Sequence, residues 1–159
     1  MRIARLPEDV DQDDLWKLEA GIQLGKDEIV RYKPINELLK LKEGKDAKIP
    51  LKEIAKNLYG IDSEKEIEKK LERLKLIEKY LAYIGSPLQY KKIDNKMEQF
   101  IEAQKIMPEL ETLEDTYDKR DLSNAIFELI RRGKSFDDIR LAKRMIKNPS
   151  GESVDILKQ

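Results

Sequence analysis

The 159-residue chain has no cysteine and no histidine. Without cysteine there are no disulfides or thiolate metal sites. Without histidine there are no imidazole ligands, Ser-His-Asp triads or Cys-His pairs. Aromatic residues make up only 6 % of the chain, and its seven glycines are scattered, with no loop of the kind that cradles phosphate. Nowhere do about eighteen apolar residues follow one another, as a membrane-spanning helix requires. The opening "MRIARLPEDVDQDD" lacks the apolar run of a signal peptide. These absences lead to the expectation of a non-enzymatic cytoplasmic protein with no cofactor and no metal.

What the chain has in abundance is charge. Charged side chains make up 40 %, and 32 basic residues balance 32 acidic ones. A neutral total does not argue against a nucleic-acid partner, because such a footprint depends on local charge. The length suits one compact domain, or one domain with an arm.

Apolar spacing predicts an all-α fold. Leu15, Trp16 and Leu18 form a short apolar face behind the acidic start "DQDD", with Trp16 as a packing anchor. Pro34 opens a second helix carrying Ile35, Leu38, Leu39 and Leu41, and "KEGKDAKIP" is expected to be a solvated loop that ends it. Leu51 to Leu58 turns Ile54, Ala55 and Leu58 inward. Tyr59 and Gly60 break that helix, and Ser63 with Glu66 reads as a capping box for the next. Ile67, Leu71, Leu74, Ile77 and Leu81 carry that helix to about Ile84, before "GSP". "LQYKKID" reads as a loop. A helix from Lys96 to Met107 is bent or restarted by Pro108 before "ELETLEDTY". Asp121 to Arg132 buries Leu122, Ile126, Leu129 and Ile130 and closes on Gly133. Ser135 and Asp138 cap a last helix to Lys147, followed by a turn at "NPSGES".

The stretch "IPLKEIAKNLYGIDSEKEIEKKLERLKLI" has the parts of a helix-turn-helix: small Ala55, turn glycine Gly60 and apolar anchor Ile67. Its turn is slightly long, with the glycine five residues after the alanine. On the second helix Lys65, Lys69 and Arg73 form an i, i+4, i+8 stripe that can meet phosphates or guanine edges. Glu64, Glu66, Glu68 and Glu72 dilute it, and a solvated Glu/Lys helix is the plainer reading of the same residues.

The run from Tyr32 to Phe100, "YKPINELLKL" followed by this stretch and by "YLAYIGSPLQYKKIDNKMEQFIEA", resembles the ParB family of plasmid and chromosome partition proteins. The resemblance covers somewhat under half the chain. It implies binding of double-stranded DNA through Ser63, Lys65, Lys69, Lys70 and Arg73 of the second helix, with nucleoid or plasmid association. Because one such module binds modestly, a homodimer that sets half-site spacing is expected, with a partition protein as a further partner. The family's nucleotide-binding motifs, Gly-Glu-Arg-Arg and Glu-Asn followed by a basic residue, are not matched, so CTP binding and hydrolysis do not carry over. The chain is then expected to be a truncated or stand-alone relative. Three regions are expected: an arm at 1–31, a helix-turn-helix region at 32–92 and a C-terminal helical bundle at 93–159.

Lys119 to Lys147 is the most basic stretch. Arg131, Arg132, Lys134, Arg140, Lys143 and Arg144 are candidates for phosphate contact, although Arg131 and Arg132 also suit the C-terminal end of their own helix. Tyr80, Tyr83 and Tyr90 are candidates for base stacking and more ordinary as core residues. The rival function is a helical protein-interaction adaptor without DNA contact. A third, a carboxylate-only metal nuclease, would require "DQDD" and "ELETLEDTYDK" to bring distant acids together.

Overall fold

In a computed structural model the described residues are 11, 14–19, 33–59, 63–112 and 119–147, with 145–147 described by backbone alone. The arm at 1–10, residues 12 and 13, the segment at 20–32, Gly60 and its two followers, residues 113–118 of the acidic "ELETLEDTY" run and the "NPSGES" turn lie outside them. The fold is all-α. Among the described residues the helices are α1 (residues 14–19), α2 (Pro34–Asp46), α3 (Leu51–Tyr59), α4 (Glu64–Tyr83), α5 (Met97–Glu111), α6 (Lys119–Arg131) and α7 (Phe136–Lys147). A short 3-10 turn at Tyr90–Ile93 occupies the loop between α4 and α5. No helix among the described residues is long and apolar enough to cross a membrane.

The chain divides into two compact units, and the division falls inside α4, between Leu71 and Glu72. In the first unit Trp16, Leu41, Ile49, Ile54, Ala55, Ile67 and Leu71 form one buried cluster, against which Leu51, Leu58 and Tyr59 pack. Trp16 is thus the packing anchor that its isolation in the sequence suggested, and its indole N–H donates to the Lys40 carbonyl at 3.3 Å.

The end of α2 departs from expectation. Instead of giving way to a loop after Leu41, the helix continues through Gly44 to Asp46. It stops where Lys48 takes a left-handed φ of 64°. The Lys48 N–H then donates to the Lys45 carbonyl and the Ile49 N–H to the Gly44 carbonyl. This is a Schellman closure, with Ile49 buried beneath it. A sequence reading that treats glycine as a stop places the end too early, because Gly44 serves packing here.

In the second unit α5, α6 and α7 pack on one another. Tyr80 of α4 is 1 % exposed, with Phe100 and Phe127 edge-on at centroid distances of 5.3 and 5.8 Å. Tyr80 is therefore a core residue. Phe127 is buried, whereas Leu129, expected inside, is only half-buried. The inward line of α6 runs through 122, 126, 127 and 130, which leaves 129 at its edge.

Two more Schellman closures end α4 and α6, at Gly85 (φ 65°) and Gly133 (φ 71°). In these, Ser86 N–H donates to the Leu81 carbonyl and Lys134 N–H to the Leu129 carbonyl. Pro108 neither ends nor restarts α5, which runs on to Glu111. Only three residues follow the proline, so few helical bonds are at stake.

Candidate nucleic-acid interface

The helix-turn-helix reading rests on how α3 and α4 pack. Ala55 and Ile67 are both completely buried in the same cluster. Ala55 and Ile67 meet there as members of one cluster with Trp16, Leu41, Ile49, Ile54 and Leu71, and burying Ile67 in it fixes the rotation of α4 about its axis. The rotation that buries Ile67 and Leu71 exposes Ser63, Glu64, Lys65, Glu66, Glu68 and Lys69. Ser63 stands immediately before the first helical residue, Glu64.

The basic stripe does not stay on this outward face. Four residues advance a helix by about 400°, so an i, i+4, i+8 line drifts by roughly 40° per step. Lys65 and Lys69 remain exposed, and Lys69 approaches Glu66 at 3.4 Å. Arg73 has rotated toward the packed side. It is half-buried, and its Nε donates to Gln104 Oε1 of α5 at 3.1 Å. The expectation that Arg73 points outward is corrected by that geometry.

Lys70 sits still nearer the apolar face, about 60° from Ile67. Its ammonium is 2.5 Å from Glu37 Oε1 of α2 and 4.1 Å above the ring of Tyr59. The Tyr59 hydroxyl donates to the same Glu37 oxygen. Burial, together with the adjacent carboxylate, pushes the Tyr59 phenol well above its ordinary pKa. The three residues clasp the beginning of α2, the end of α3 and the second turn of α4. Sequence reasoning missed this clasp. It took Tyr59 for a helix breaker, and no local pattern links position 37 to position 70.

The C-terminal basic residues are also engaged within the protein. Glu128 accepts from Arg131 Nε at 2.6 Å and from Arg132 Nε at 2.8 Å. These two guanidiniums hold the Glu128 carboxyl down to about 2. Arg140 reaches Glu102 of α5 at 3.3 Å and Asp137 at 3.1 Å, and Lys143 lies 3.1 Å from Glu109. Lys134 and Arg144 are exposed. The tyrosine trio is dispersed in its contacts. Tyr80 is in the core, Tyr90 donates to Glu78 at 2.9 Å, and Tyr83, 41 % exposed, tilts against Phe127.

The capping box expected at Ser135 is present in full. Asp138 Oδ2 accepts from the Ser135 N–H and hydroxyl, both at 2.9 Å, and the Asp138 N–H donates to Ser135 Oγ at 3.2 Å. The Ser135 hydroxyl, followed by its backbone N–H, holds the Asp138 carboxyl below its ordinary range. This box sets the start of α7 and hence the position of Arg140 one turn later.

Among the described residues no group of three or more acidic side chains could hold a metal ion. Asp13 of the first acidic run and residues 113–118 of the second lie outside that description. Compared with protein-family models, with curated proteins and with solved structures, the chain matches none.

Proposed function

We propose that this chain is a DNA-binding protein of ParB-like type, reading double-stranded DNA with the first two turns of α4. The observation that carries the proposal is the joint burial of Ala55 and Ile67 in one cluster, which sets the rotation of α4 and leaves Ser63, Lys65 and Lys69 exposed. A helix supported in this way can enter a major groove, with its N-terminal residues reaching base edges. Within the proposal Lys70 and Arg73 act as struts that hold α4, while Lys65 and Lys69 meet the DNA. Lys134 and Arg144 are exposed candidates for phosphate contact; Arg131, Arg132 and Arg140 are exposed as well but already meet carboxylates. A homodimer would supply two reading helices, and a role in plasmid or chromosome partition follows from the resemblance of Tyr32 to Phe100 to that family.

A second reading, a helical adaptor that binds protein rather than DNA, draws on one specific observation. The exposed start of α4 carries Glu64, Glu66 and Glu68 beside Lys65 and Lys69, so its field is not strongly positive. Fluorescence anisotropy with a labelled duplex pool at roughly 50 and 200 mM salt separates the two readings. DNA binding requires affinity that falls steeply with salt, and Lys65→Ala with Lys69→Ala should lower the log–log salt slope by about 2. Absence of binding at the lower salt, with the helical fold intact by circular dichroism, selects the adaptor.

A further inference from the structure

We infer that the second unit carries a docking groove, separate from the proposed DNA-reading turns, that takes an acidic amphipathic peptide segment of a partner protein. The groove is a half-open concavity of about 400 Å³, within the size range of sites that seat a side-chain cluster or a small ligand. Leu76, Met107 and Leu110 form its apolar floor, and Lys75, Lys79 and Lys119 stand on its rim. Lys75 and Lys79 lie one turn apart on α4, both exposed and both without an acidic partner among the described residues. That sets them apart from Arg131, Arg132, Arg140 and Lys143, each of which already meets a carboxylate.

The rim also holds two acids, Glu72 and Glu111. Glu72 faces the Gln104 amide at 3.5 Å and Lys119 donates to the Glu111 carbonyl at 3.1 Å, so the charge offered to a partner is that of Lys75 and Lys79. Pro108 contributes to the same wall, and because it has no N–H it offers no helical donor to the Gln104 carbonyl, which belongs to another lining residue. Met107 is half-buried, with a flexible thioether that can adapt to different anchors.

The floor decides the occupant. A phosphate backbone gains nothing from Leu76 and Met107, whereas an amphipathic helix can lay one apolar anchor on them and pair flanking carboxylates with Lys75 and Lys79.

The test is fluorescence anisotropy of the full chain with a short labelled amphipathic peptide bearing leucine anchors flanked by glutamates. Two control peptides carry lysine in place of glutamate, or alanine in place of leucine. The inference expects roughly micromolar binding of the first and at least tenfold weaker binding of each control. Lys75→Glu with Lys79→Glu, both at exposed positions, should weaken the acidic peptide by about tenfold or more. Met107→Ala should weaken it while leaving circular dichroism unchanged. Equal binding of all three peptides, or binding indifferent to both sets of variants, overturns the inference. Loss of duplex binding in the double lysine variant without any peptide binding would also overturn it, and would assign these lysines to DNA.

Discussion

A β-carbon added to Gly44 would lie 2.5 Å from Cζ2 of Trp16, closer than real contacts allow. The indole is therefore laid directly on the backbone of α2, and glycine is required at position 44 for space. Replacing it by alanine sets two effects against each other. Helix propensity favours alanine by about 1 kcal/mol, whereas forcing Trp16 out of a packed cluster costs about 1–3 kcal/mol. Gly44→Ala should therefore lower stability in urea unfolding. Because Trp16 is the single tryptophan, its emission should shift to the red in the folded variant. A variant more stable than the parent would show that the indole is not held against α2.

The C-terminal closure of α2 gives a prediction of the opposite sign. Lys48 adopts a left-handed φ of 64° and is exposed, a conformation that costs a residue with a β-carbon about 1–2 kcal/mol. Glycine relieves that strain, offset in part by its greater freedom in the unfolded chain. Lys48→Gly should raise stability by about 0.5–1 kcal/mol, read as a higher urea midpoint with an unchanged m-value.

Glu102 is 8 % exposed, and its carboxyl is held below the usual range by the Lys105 ammonium and the Arg140 guanidinium, despite the opposing effect of burial. A carboxyl with a depressed folded pKa contributes stability above its unfolded pKa, near 4.5, and loses it as pH falls through the lower folded value. Glu102→Gln should therefore be less stable than the parent near neutral pH. The gap should narrow steadily as pH drops below 4.5. A gap that does not change with pH would mean that the carboxylate's charge is not what ties α7 to α5.

Glu128 restrains the two arginines proposed at first sight for phosphate contact. Glu128→Gln removes the charge that holds Arg131 and Arg132 to the surface of their own helix. If these side chains lie at the DNA surface, duplex affinity should rise and the salt slope should steepen by up to about 2. Unchanged anisotropy would place them away from DNA. In the parent, the Glu128 carboxyl should titrate near pH 2 by NMR.

Much of the local structure was legible in the sequence. The buried line Ile67, Leu71, Leu74, Ile77 and Leu81 follows from helical period alone. The ends at Gly85 and Gly133 and the Ser135–Asp138 box involve groups within a few residues of one another. Such features depend on short-range sterics and hydrogen bonds, which any chain of this sequence meets as soon as it coils. The all-α fold followed from them.

The tertiary structure decided what the charges do. Lys70 and Glu37 are 33 positions apart, Arg73 and Gln104 are 31, and Arg140 and Glu102 are 38. No periodicity relates such pairs, because their meeting depends on how packed helices cross and rotate. The same holds for Gly44, whose role depends on a tryptophan 28 residues earlier. A sequence made of 40 % charged residues offers many possible ion pairs of nearly equal weak energy. Packing selects among them, because burying Ile67 and Ala55 sets the rotation of α4, and that rotation determines which lysines face solvent and which are turned inward.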